Sequence, residues 1–102
     1  MAVVTGAGSG IGRALAQQLA AAGSALALAD VDEAGLTQTA QTLEKKSGLI
    51  TTHVVDVADE AGVRSFAEDV GKRHGRVTLL VNNAGFPCMA ILKKYLWMIF
   101  AG

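Results

Sequence analysis

The stretch Thr5-Gly6-Ala7-Gly8-Ser9-Gly10-Ile11-Gly12 decides how the rest of this chain is read. It follows a short apolar run, Ala2-Val3-Val4, and leads into Arg13-Ala14-Leu15-Ala16, where apolar residues take up helical spacing. Strand, glycine-rich turn and helix together aim backbone N–H groups and a helix N-terminus at a phosphate. Glycines at positions 6, 8, 10 and 12 remove the Cβ atoms that would hold a ligand off the backbone. The spacing is not G-x-G-x-x-G, because counting from Gly6 puts Ile11 at the third glycine, and counting from Gly8 puts Arg13 there. What fits is T-G-x-x-x-G-x-G, carried by Thr5, Gly6, Gly10 and Gly12.

Outward from the loop, the pattern predicts alternating strands and helices. A helix is expected from about Gly10 to Ala22, with Ile11, Leu15 and Leu19 facing inward, alanines allowing close packing, and Gly23 stopping it. Ala25 to Ala29 reads as a second strand ending at Asp30. Asp32 then caps a helix with Leu36, Ala40 and Leu43 as its inward stripe, ending near Lys45-Lys46-Ser47-Gly48. Leu49 to Val55 is β-rich. Asp59 caps a third helix with Val63, Phe66 and Val70 inward, closed by Gly75, and Val77 to Val81 forms a fourth strand. The order is βαβαβαβ. Strands alternating with helices argue an α/β fold with a parallel sheet and right-handed crossovers.

Composition narrows the function classes. The 102 residues amount to one domain or part of one, since domains most often run to ~100–150 residues. Hydrophobic residues are 51% and charged residues 18%, enough for a packed core. Nine basic residues balance nine acidic ones, which leaves no electrostatic footprint for nucleic acid or an anionic membrane. The single cysteine, Cys88, fits a reducing compartment. No charged segment precedes an apolar one at the start, and no apolar run reaches the ~20 residues of a spanning helix. A cytoplasmic location is the expectation. His53 and His74, the latter in a last helical turn where a cation suits the dipole, have no ligand set around them that would suggest a metal.

Ligands of such sheets sit beyond the carboxyl ends of the strands. Those ends carry Thr5-Gly6, Asp30, Asp56-Val57 and Asn82-Asn83-Ala84-Gly85, a polar edge on an otherwise apolar sheet. Asp30 follows Gly12 by 18 residues, close to the ~20 expected of a carboxylate that accepts hydrogen bonds from an adenosine ribose. Alone it reads equally as a helix cap or a strand end; its spacing from the loop favours the ribose. A carboxylate there repels a 2′-phosphate, and neither Ser9 nor Val31 supplies a cation for one. NAD is favoured over NADP.

These residues, in this order, resemble the short-chain dehydrogenase/reductase family from Ala2 through Gly85: Thr5-Gly6-x-x-x-Gly10-x-Gly12, then Asp30, then Asp56-Val57, then Asn82-Asn83-Ala84-Gly85. The resemblance implies the first half of a Rossmann-type doubly wound sheet and an NAD(P)-dependent oxidoreductase acting on an alcohol or ketone. It implies cofactor contacts from Gly6, Ser9, Gly10, Ile11, Gly12, Asp30, Asp56, Val57, Asn83, Ala84 and Gly85. Within these, Asp56 would meet the adenine with Val57 beside it. Asn82 to Gly85 would line the adenosine side, and Thr5 would tie the first strand to that segment.

The same resemblance sets a boundary. The family's serine, Tyr-x-x-x-Lys pair and assisting asparagine lie beyond the Asn-Asn-Ala-Gly segment. Here no serine follows Ser65, and the single tyrosine, Tyr95, has Ile99 four positions on. Residues 1–102 therefore offer no catalytic candidate, and Tyr95 reads as packing. Residues 1–85 read as the dinucleotide-binding portion and 86–102 as an apolar helix, with Ile91, Leu92, Tyr95, Leu96 and Ile99 on one stripe. In the family, the helix after the fourth strand packs against its mate in another subunit, so a homo-oligomer is expected. The fourth strand, left at an open edge, invites association too. The rival expectation is an inactive module that binds NAD or pairs with a full-length relative, and a weaker one is a binder of another nucleotide or of flavin.

Overall fold

Four strands and three helices alternate in the computed structural model, which describes residues 1–43 and 48–83. Strand β1 is Ala2–Thr5, helix α1 Gly10–Ala21, β2 Leu26–Asp30, α2 Glu33–Thr42, β3 Ile50–Val54, α3 Glu60–Arg73 and β4 Leu79–Asn82. The sheet order is β3-β2-β1-β4, parallel throughout. This is the doubly wound half that the sequence predicts. Thr5 lies level with Ala29 of β2 and Asn82 of β4, so the carboxyl ends of three strands finish along one edge. Among the described residues β4 pairs only with β1.

Both faces of the sheet are buried, which is why its central strands read as continuous apolar runs. Val3, Ala27 and Ala29 face Val63, Phe66, Ala67 and Val70 of α3. Val4, Leu26 and Leu28 face Ala16 and Ala20 of α1 and Leu36 of α2. Leu26 and Leu28 have no exposed surface, and burying each contributes roughly 2 kcal/mol of transfer free energy.

Several local expectations need correction. The buried face of α1 is Gly12, Ala16 and Ala20, whereas Ile11 is 69% exposed and Leu15 and Leu19 are half-buried. Small side chains let the helix settle close on the sheet, so the larger ones are turned to its flanks. On α2, Leu36 and Leu43 are buried as expected, but Thr39 takes the place given to Ala40, because its hydroxyl has buried partners. That helix stops at Thr42, with Leu43 already extended. Strand β4 begins at Leu79; Val77 is buried but precedes it, while Thr78 N–H donates to the Met1 carbonyl at 3.0 Å.

Asp32 caps α2 by accepting from Gly35 N–H at 3.0 Å. Asp59 holds the N-cap position of α3 without a side-chain capping bond. Gly23 and Gly75 end α1 and α3 with φ of 88° and 85°, the left-handed geometry that suits glycine. The expected helix over 86–102, with Ala84, Gly85, Cys88 and Tyr95, lies outside the described residues.

His74 is no dipole-matching cation. Burial pushes its pKa below the ordinary 6.5, with Arg73 and the N-terminal ammonium adding to the effect. Burial pushes His53 down as well, helped by Arg73 and His74 and opposed by Asp69. Both rings bond the Thr51 hydroxyl through Nε2. His53 Nδ1 lies 3.1 Å from the Asp69 carboxylate, which can only accept, so Nδ1 carries the proton and Nε2 accepts from the Thr51 O–H. The Thr51 oxygen then accepts from His74 Nε2–H, which leaves His74 Nδ1 bare; that atom is buried with no hydrogen-bond partner. One chain of hydrogen bonds thus joins β3 to the C-terminal end of α3.

Candidate functional site

The glycine loop runs from the end of β1 over the start of α1. Gly6 and Gly10 take φ of 64° and 58°, values an L side chain resists. A Cβ on Gly12 would run into the Gly6 carbonyl oxygen, so only glycine lets the helix start this close beneath the loop. Ser9, the N-cap residue, gives no side-chain cap to the first turn. The N–H groups of Gly10, Ile11 and Gly12 belong to the turn that has no acceptors inside the helix. Ser9, Gly10 and Ile11 are exposed. An uncapped helix start with exposed backbone at Ser9, Gly10 and Ile11 suits an anion by charge and geometry.

Beside the loop, a cleft of about 360 Å³ is lined by Gly6, Asp30, Val31, Asp56, Val57 and Ala58, among others. Four of the residues singled out from sequence (Gly6, Asp30, Asp56 and Val57) therefore share one hollow at the strand ends. Asp30 does two things there. Its Oδ2 accepts from Gly8 N–H at 2.8 Å and its Oδ1 from Asp32 N–H at 3.2 Å. A carboxylate has about four lone-pair sites, so each oxygen keeps one for a further donor. Asp56 accepts from Ala58 N–H at 2.9 Å and is otherwise exposed, while Val57 is buried at 8% and shares its surface between core and cleft.

Thr5 holds the opposite rim. Its fully buried hydroxyl donates to Asn82 Oδ1 at 2.8 Å and accepts from Asn83 N–H at 3.0 Å, the tie between first and fourth strands that the resemblance implied. Asn83 lies against Gly6, where an added Cβ would come within 3.1 Å of its backbone. Its side-chain amide reaches toward the Gly6 carbonyl only at 3.5 Å, too long to hold it firmly.

Two residues that the sequence did not single out, Arg13 and Thr39, belong to the same assembly and hold the loop at Gly8 and Ala7. Arg13 donates through Nη2 to the Gly8 carbonyl at 2.6 Å and through Nε to Thr39 Oγ1 at 2.8 Å. Thr39, fully buried, donates to the Ala7 carbonyl at 2.7 Å. A signal for Arg13 existed, since a cation at the start of a helix opposes the dipole and needs a local reason. Thr39 gave none, because its partners are 26 and 32 residues away.

Known proteins share this fold. Residues 1–96 match the family described as short chain dehydrogenase. Levodione reductase of Leifsonia aquatica is 44% identical over 85 residues, covering 81% of this chain and 32% of its own length. A short chain dehydrogenase/reductase of Burkholderia phymatum, solved in complex with NAD, superposes with a TM-score of 0.87 at 33% identity, over 96% of this chain and 43% of that one. L-sorbose reductase of Gluconobacter frateurii, solved with NADPH and L-sorbose, gives 0.84 at 30% identity, over 93% and 45%. The chain spans 32% of the length of that levodione reductase and under half of these solved chains. With its loop, its strand-end carboxylates and 96 matched residues in agreement, the chain belongs to the short-chain dehydrogenase family.

Proposed function

We propose that this chain is the dinucleotide-binding half of an oxidoreductase that interconverts an alcohol and a ketone, with NAD as its cofactor. The observation that carries the proposal is the convergence of Gly6, Asp30, Asp56 and Val57 on one cleft beside an uncapped helix start. The residues fit the group. Donors from the loop and the first turn of α1 (Ser9, Gly10, Ile11 and Gly12) suit the pyrophosphate, the free lone pairs of Asp30 suit the ribose hydroxyls, and Asp56 with Val57 borders the space for adenine. Ala84 and Gly85 continue the segment that starts at Asn83 and complete the proposed contact set. When bound, the nicotinamide supplies hydride chemistry. This chain's own share is to bind and orient, since no Tyr-x-x-x-Lys occurs in residues 1–102.

The preference for NAD over NADP rests on Asp30 and on Val31, a 62% exposed apolar residue at the cleft where a 2′-phosphate would want a cation. The two solved relatives divide on this point, one holding NAD and the other NADPH. Calorimetric titration with NADH and NADPH tests it. Asp30→Ala is expected to weaken NADH about tenfold to a hundredfold, the worth of hydrogen bonds to a charged acceptor. Adding Val31→Arg is expected to turn the preference toward NADPH. Unchanged NADH affinity in a folded Asp30→Ala protein would overturn the ribose assignment.

The rival reading, an inactive module that pairs with a full-length relative, predicts NADH binding with no turnover of secondary alcohols by a protein of verified mass. Association through residues 86–102 into a homo-oligomer is a further proposal, tested by sedimentation.

A further inference from the structure

Opposite charges grip Gly8 from two sides. The Asp30 carboxylate takes its N–H, and the Arg13 guanidinium takes its carbonyl. Just before it, the Ala7 carbonyl is held by Thr39. Among the described residues Arg13 pairs with no carboxylate. Its partners are the neutral oxygens of Gly8, Thr39, Gly35 and, at 3.5 Å, Gln38.

Peptide planarity turns these bonds into directions. In a trans peptide the C=O of one residue and the N–H of the next point opposite ways in one plane. Aiming the Ala7 carbonyl at Thr39 therefore sends Gly8 N–H the other way, where Asp30 receives it. Aiming the Gly8 carbonyl at Arg13 likewise sends Ser9 N–H away from α2. Gly35 lets α2 press against this point, since a Cβ there would come within 2.6 Å of the Gly8 oxygen.

We propose that Arg13 and Thr39 are positioning residues that fix the Ala7–Gly8 and Gly8–Ser9 peptides, so that Ser9 N–H faces the cofactor's pyrophosphate. The inference rests on the dinucleotide reading and deepens it: the phosphate loop is aimed from α2, through Thr39, 32 residues on from the Ala7 carbonyl it holds. A lysine cannot replace Arg13, because a single ammonium on a flexible stem lacks the planar fork that reaches Gly8 and Thr39 together.

The test compares NADH with adenosine, which keeps the base and ribose but has no pyrophosphate. Full-chain Arg13→Lys and Thr39→Val are each expected to weaken NADH at least tenfold while changing adenosine affinity less than twofold. Thr39→Ser, which keeps the hydroxyl, is expected to restore NADH binding. Equal losses for both ligands, or NADH affinity that does not move, overturn the positioning role. A wild-type protein that binds neither ligand defeats the dinucleotide reading instead. The positioning role is then judged in the free protein by amide exchange at Gly8, expected to quicken at least tenfold in Thr39→Val. Unchanged exchange there overturns it.

Discussion

The two sides of the sheet are fastened by different chemistry. On the α1–α2 side, charged groups hold backbone: Arg13 and Asp30 grip the glycine loop, and the neighbouring donors stay open toward solvent. On the α3 side, neutral side chains hold one another: Thr51 bridges His53 and His74 beneath the packed faces of Val63, Phe66 and Val70. The first arrangement leaves hydrogen-bonding capacity unspent, which a binding site requires. The second spends almost all of it, which a buried wall requires. The glycine loop and the buried wall thus lie on opposite faces, with Val57 the residue that belongs to both cleft and wall.

Phe66→Ala should break the wall while leaving the glycine loop and Asp30 in place. Phe66 is 4% exposed and meets the His53 ring edge-on at 5.0 Å. Its truncation is expected to cost about 3–5 kcal/mol of unfolding free energy in a urea titration. NADH affinity, measured where the variant is still folded, should stay within about threefold. A large loss of affinity there would mean that the two faces are coupled.

Gly12→Ala should do the reverse. The new methyl meets backbone, which must shift, at a cost of roughly 1–3 kcal/mol in stability. The larger consequence is for binding, since the displaced segment is the loop itself, and NADH affinity should fall more than tenfold. An alanine variant that binds normally would show that the loop has slack the packing does not suggest.

A smaller effect should come from acid. Both histidines have folded-state pKa values held below 6.5 by burial, so the unfolded chain binds protons more readily. Stability contributed by the neutral rings is complete above the unfolded value and is lost as pH falls below about 6.5. Protonating His74 would also place an N–H at its buried Nδ1, which has no acceptor. Thermal unfolding followed from pH 7.5 to 5.5 should therefore show a falling midpoint, less so in His74→Gln. An equal fall in both proteins would remove the histidines from the explanation.

Much of this was legible in the sequence, for reasons that can be stated. Alternating strand and helix patterns, with Gly23 and Gly75 as stops and Asp32 as cap, are local signals, and local signals survive folding. Asp30 was legible because a strand end and a spacing from the loop are both one-dimensional facts. The face of α1 was not: apolarity ranks leucine above alanine, but the gap between helix and sheet, set by Gly12 against Gly6, admits only the smaller. Nor was the Arg13–Thr39 tie, since neither residue is unusual until α2 lies beside the loop. Asp30's grip on Gly8 was hidden likewise, although its proposed ligand role was not.

The placement of β1 has a consequence for when this site comes into being. Strand β1 lies inside the sheet, and its pairing to β2 closes a short loop, whereas β4 joins it across 77 residues, as the bond from Thr5 to Asn82 marks. Until that late strand docks, β1 has one unsatisfied edge, and Gly6 lacks the Asn83 backbone against which it rests. Contacts of such long sequence separation form slowly, because the chain must close a large loop before they repay it. The glycine loop, although it follows the first of the four strands, is therefore among the last parts of this sheet edge to take its working shape.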